Sequence, residues 1–159
     1  MSDLNPYAMY LDGREVGVIL AATAGQISSL IKAIGPERAA QPPAPGKWSA
    51  AEIVCHLADC ELAFGFRLRQ TLAEEGHLIQ PFDQEKWAAT YSGIGVDQAL
   101  AAFSALRAWN LLLLGNALPQ AANKTVTHPE RGAMTFGLIV ETMAGPDLNH
   151  LGQLRRLAQ

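Results

Sequence analysis

The sequence predicts an all-α protein, a four-helix bundle folded as one domain over residues 1–159. Three observations carry this. Four stretches of about 20 residues repeat apolar residues at spacings of three and four, the period of one helix face. Segments rich in proline and glycine, which cannot continue a helix, separate them. The composition, 49% hydrophobic and 17% charged, gives a chain of this length enough apolar surface for one core.

The first helix is predicted from Arg14 to Ile34, with Val16, Leu20, Ala24, Ile27, Ile31 and Ile34 on one stripe. Gly35 and Pro36 end it. Three prolines and a glycine make 41–46 an extended linker. The second helix has the clearest start in the chain, because Ser49 and Glu52 form a Ser-x-x-Glu capping box. Its stripe is Ile53, Leu57, Cys60, Phe64, Leu68 and Leu72, and Gly76 closes it. The segment His77 to Gly95 is predicted as a long loop with local packing around Phe82, Trp87 and Tyr91. The third helix runs from Val96 to Ala117 with Ala99, Phe103, Leu106, Asn110, Leu113 and Ala117 on one face, and Pro119 stops it. A second loop, Gln120 to Met134, contains the turn-rich His128-Pro129-Glu130-Arg131-Gly132. The fourth helix starts at a Thr135 cap and presents Phe136, Ile139, Val140, Met143, His150, Leu151 and Leu154. Two connections this long point to a crossover topology.

Charge and composition exclude several classes. The net charge is −3, the wrong sign for a protein living on phosphate contacts, so nucleic acid is not an expected partner. No uninterrupted run approaches the roughly 18–20 apolar residues of a membrane span, and Leu111 to Leu114 is only four leucines. Met1 to Leu11 lacks the basic and apolar regions of an export signal. Cys55 and Cys60, five apart on one helix, point in different directions and are not expected to pair. These features together predict a cytoplasmic protein.

Two histidines stand on or beside apolar stripes. His150 lies within that of the fourth helix, and His56 flanks that of the second, on the side of Glu52, Asp59 and Arg67. A single histidine so placed is ordinarily a hydrogen-bonded core residue. Two on different helices admit a metal, because bundles build such sites from facing helices and neutral imidazoles suit zinc or nickel. Two ligands fall short of the usual three. The other polar residues take simpler readings. Arg107 and Asn110 are expected to pair with a carboxylate such as Glu61, His128 to be structural and His77 to be a solvated loop residue. Trp48, Trp87 and Trp109 are expected as core anchors, and Cys55 on the outward side of its helix.

The segment Trp48-Ser49-Ala50-Ala51-Glu52-Ile53-Val54-Cys55-His56-Leu57-Ala58-Asp59 resembles the W-S-x-x-E-I-x-x-H-L-x-D signature of DinB-like (YfiT-type) proteins. Asp147 to Leu154 resembles the fourth-helix signature of that family, and His128 to Gly132 matches as well. The likeness runs from Asn5-Pro6-Tyr7 to Gln153. It implies an up-down-down-up bundle, a homodimer, and a metal held by one histidine of the second helix and two of the fourth, spaced His-x-x-x-His. It also implies a small-molecule substrate, with a low-molecular-weight thiol or a water activated by the metal for transfer or hydrolysis.

This chain departs from the pattern at one ligand. Four residues before His150 stands Pro146, which has no donor atom. The remaining metal ligands would be His56 and His150, with Asp147, Asp59 or Cys60 as possible replacements for the third. The expected divalent metal, zinc or nickel, is therefore weakly held or absent. The alternative reading is a metal-free binding or stress-associated bundle. Gly145-Pro146 is also expected to remove one backbone hydrogen bond and to kink the fourth helix.

Overall fold

The computed structural model describes residue 5 and residues 8–159. Pro6 and Tyr7 of the N-terminal resemblance lie outside the described residues. The elements are α1 (Ala8–Leu11), α2 (Val16–Ile34), α3 (Pro36–Ala39), α4 (Ala50–Ala73), α5 (Gln84–Ala88), α6 (Val96–Ala121), β1 (Thr125–His128), β2 (Gly132–Thr135) and α7 (Phe136–Leu157). The four long helices form the expected bundle.

Two apolar clusters give its topology. One gathers Ile27, Ile31 and Ile34 from the end of α2, Ile53 and Leu57 from the start of α4, Val96 and Phe103 from the start of α6, and Leu151 and Leu154 from the end of α7. The other gathers the opposite ends, with Ile19 and Leu20, Phe64 and Leu68, Leu114 and Ala121, and Phe136 to Met143. Helices α2 and α7 therefore run one way and α4 and α6 the other, which is the up-down-down-up order. Because α4 and α6 are parallel, the segment 74–95 must cross the full length of the bundle. Each of α4 and α7 contacts two neighbours in the ring α2, α6, α4, α7.

Local chemistry explains the helix ends. Ser49 Oγ accepts from the Glu52 backbone N–H at 3.2 Å, and Glu52 Oε2 accepts from the Ser49 N–H at 2.7 Å, so the capping box closes as predicted. Thr135 Oγ1 accepts from the Leu138 N–H and starts α7. Gly35, at φ +80°, takes the turn between α2 and α3.

Several expectations are corrected. The loop at 120–134 contains an antiparallel hairpin, with Thr125 opposite Thr135 and His128 opposite Gly132. Its alternating Val126, His128 and Met134 are buried, and Leu78 bridges to Thr127 beside it. The segment 77–95 holds the short helix α5, capped by Asp83. Pro119 does not stop α6, which continues to Ala121. The carbonyl it leaves without a helix donor belongs to Gly115, which is exposed. On α6 the expected Ala99, Phe103 and Asn110 are buried, but Arg107, Leu114 and Ala121 take the buried places expected for Leu106, Leu113 and Ala117, which are half-buried. Cys55 is only 5% exposed, not outward, and Trp109 is 62% exposed, not a core anchor. His77 is half-buried, with both ring nitrogens enclosed and without a partner. Pro146 lies inside α7, which runs unbroken from Phe136 to Leu157.

Helix α2 also qualifies the run-length reading. Its mean hydropathy of 1.5 over 19 residues makes it long and apolar enough to cross a membrane by length and composition. In the bundle its face of Ile19, Leu20, Thr23, Ile27, Ile31 and Ile34 is buried against α6 and α7.

Candidate functional site

The site lies between α4 and α7, at the end of the bundle where α4 begins. His56 sits two turns into α4 and His150 two turns from the end of α7. The antiparallel packing of the two helices brings them together. Their rings stand edge to face with centroids 5.0 Å apart. Trp48, just before the α4 cap, lies nearly parallel to His150 with 6.3 Å between centroids, and is 5.0 Å from His56. The capping box holds the start of α4, and so this indole, in place.

Both imidazoles are neutral at physiological pH. Burial, with a smaller contribution from the neighbouring His150, lowers the His56 pKa to about 4. Burial also lowers that of His150, against an opposing pull from Gln153. His150 Nδ1–H donates to Gln153 Oε1 at 2.8 Å, which leaves Nε2 as the lone-pair nitrogen. The Cys60 thiol lies 3.4 Å from His56 Nε2. Burial raises the Cys60 pKa strongly, and the carboxylates of Asp147 and Glu61 raise it further, so a neutral thiol donates to a neutral imidazole. The pair is not an activated nucleophile.

Of the three residues that could replace the missing ligand, two are engaged elsewhere. Asp147 accepts from both terminal nitrogens of Arg107, at 2.8 and 3.0 Å. Arg107 also donates to Glu61 at 2.7 Å and to the Leu20 carbonyl, while Asn110 donates to Glu61 Oε2 at 3.0 Å. Burial pushes both carboxylates up against the pull of Arg107, so the guanidinium is what keeps them in the interior. The expected structural role of Arg107 and Asn110 with Glu61 is what the geometry displays. Asp59 accepts from the Tyr91 hydroxyl at 2.7 Å. Only Cys60 touches a site histidine. Among the described residues, no group of three His, Cys, Asp or Glu is placed to hold a metal ion. The donor set therefore does not fit a three-ligand centre.

Two cavities adjoin His56, and the larger also reaches His150. A cleft of about 700 Å³ is lined by Lys47, Trp48, His56, Gln84, Glu85, Asn149, His150, Gln153 and Arg156 among others. A smaller cavity of about 200 Å³ is lined by His56, Cys60, Arg67, Phe82, His128, Arg131, Thr142 and Pro146 among others. His56 and Gln84 border both. Position 146 thus faces the same space as His56, where a third ligand would act. The sequence reading missed Gln153, Gln84 and the stacking of Trp48 on His150. Gln153, three residues after His150 on one helix face, was the only one with a local signal.

A model described as the DinB superfamily matches residues 19–154. A protein of Oceanobacillus iheyensis, which carries the name putative metal-dependent hydrolase, is 28% identical over 72% of this chain and 67% of its own. One of the same name from Bacillus mycoides is 24% identical over 84% of this chain and 78% of its own. The solved structure of YfiT from Bacillus subtilis, described as a probable metal-dependent hydrolase with an unusual four-helix bundle topology, superposes with a TM-score of 0.75. That match covers 89% of this chain and 84% of YfiT at 20% identity, and it supports the fold.

Proposed function

Because the chain belongs to the DinB superfamily, we propose that it binds a small polar molecule in the histidine-lined cleft and holds no resident three-ligand metal. One observation carries the reading: position 146 faces the His56 cavity as a proline, while Asp147 is tied up by Arg107. What remains is a recognition surface. The neutral His150 Nε2 offers a lone pair, Trp48 an apolar wall, and Asn149, Lys47 and Arg156 further polar groups around the cleft.

A second reading keeps the activity that the relatives' names describe. In it, a weakly held zinc or nickel on His56 and His150 supports hydrolysis or thiol transfer. The two neutral imidazoles 5.0 Å apart favour it, since metal ligation requires the unprotonated form.

Elemental analysis separates the two. Untagged protein and His56→Ala are each brought to dialysis equilibrium with zinc or nickel, so that a weakly held ion is still counted. The binding reading predicts far less than one metal per chain in both. About one equivalent in the native protein, lost in His56→Ala, would overturn it in favour of the second reading.

A further inference from the structure

The smaller cavity carries an unbalanced set of cations. Arg67 projects from α4 and Arg131 from the hairpin turn, and both line it beside His128. Among the described residues, neither guanidinium has a carboxylate within ion-pair distance, whereas Arg107 has two. Arg67 is instead held by apolar and neutral groups. It lies over the Phe64 and Phe82 rings at 5.5 and 5.6 Å and donates to the Gln80 carbonyl at 3.2 Å. Glu130 is the single carboxylate among the lining residues. Such a cluster is unexpected in a chain of net charge −3.

His128 is oriented to help. Its Nδ1 accepts from the Glu130 backbone N–H at 3.2 Å, so the proton resides on Nε2 and is available as a donor. The side chain is buried, and burial together with Arg131 and Arg67 lowers its pKa. Guanidinium groups without carboxylates, with a fixed N–H beside them, match the geometry of a carboxylate or phosphate group.

We propose that Arg67, Arg131 and His128 form an oxyanion site that receives the carboxylate or phosphate group of the bound molecule, with the rest of that molecule passing His56 into the larger cleft. His56 and Gln84 border both cavities, so a molecule seated at the cations would reach the larger cleft past these two side chains. The proposal rests on the binding reading above and names the ligand class for it. The two fail separately: a stoichiometric metal overturns the earlier reading, whereas anion titration reads the oxyanion site directly.

The test is calorimetric titration of the native chain with inorganic phosphate and, separately, with malonate, at fixed ionic strength with sodium chloride as reference. Saturable one-to-one binding of phosphate, malonate or both is expected. Phosphate alone would assign a phosphoryl ligand, and malonate alone a carboxylate. Arg67→Gln and Arg131→Gln should each weaken binding by at least about tenfold, the loss of one charge-assisted hydrogen-bonding group. Circular dichroism checks the fold of each variant. Arg131 lies in the hairpin turn away from the core, so its variant decides the matter even if Arg67→Gln does not fold. Absence of saturation by either anion, or native affinity in Arg131→Gln, would overturn the proposal.

Discussion

Position 146 is a proline where the resemblance implies a ligand, and the carboxylates nearest to it are engaged elsewhere. Asp147 is nearest in sequence but points to Arg107, forty positions earlier, which sequence spacing could not reveal. His56 and His150 were legible because an imidazole on an apolar face is conspicuous. Cys60 as a hydrogen-bond partner was visible only as an i+4 neighbour. The depressed pKa of His56 makes a prediction at this scale. An unfolded histidine titrates near pH 6.5, and folded His56 near 4. Between those values the unfolded chain holds a proton that the folded one lacks. Stability from this group is therefore full above pH 6.5 and declines as pH falls towards 4. In chelator-treated protein the decline should be on the order of 3 kcal/mol. Urea midpoints of the native chain and His56→Gln at pH 7 and pH 4 should differ accordingly, with the flatter profile in the variant. Parallel profiles would refute the assignment.

At the scale of elements, α4 and α6 are joined by polar bonds at a close approach. A Cβ on Gly65 would sit 2.6 Å from Asn110 Oδ1, so only glycine admits the Asn110 amide that bonds Glu61 and Arg69. Gly65→Ala should cost about 1–3 kcal/mol by overpacking, read as a lowered Tm. Arg107→Met should cost more, about 3–5 kcal/mol, because it strands Glu61 and Asp147 in the interior. By contrast, Ser49→Ala should cost only about 1 kcal/mol, the usual loss of a cap. If Arg107→Met were as stable as Ser49→Ala, the network would not be holding the four helices as described. The helix caps and the stripes of α2, α4 and α7 were legible because their signals are local. Half of the α6 face was misread because leucine occupies every position from 111 to 114 and one of the buried side chains is an arginine. The hairpin was missed because its strands are four residues long and gain their meaning by pairing with each other. Thr125-Val126-Thr127 was its available signal.

For the molecule as a whole, the up-down-down-up order puts the start of α4 beside the end of α7 and so assembles the site. It also forces the segment 74–95 to run the length of the bundle, which carries Phe82 and Gln84 to the cavity walls. The bundle was readable from periodicity, its order from the family resemblance, and the paired cavities from neither. They arise from loops, a hairpin and two helices meeting. The bundle is intact around a proline that stands where the resemblance implies a metal ligand. The most direct measurement is the thermal stability of the native chain and Pro146→His with and without excess zinc. A folded protein gains about 2.7 kcal/mol from a ligand at a hundredfold excess over its dissociation constant. Zinc should raise the Tm of Pro146→His and leave that of the native chain almost unchanged. Equal stabilisation of both, or a rise in the native chain alone, would contradict it.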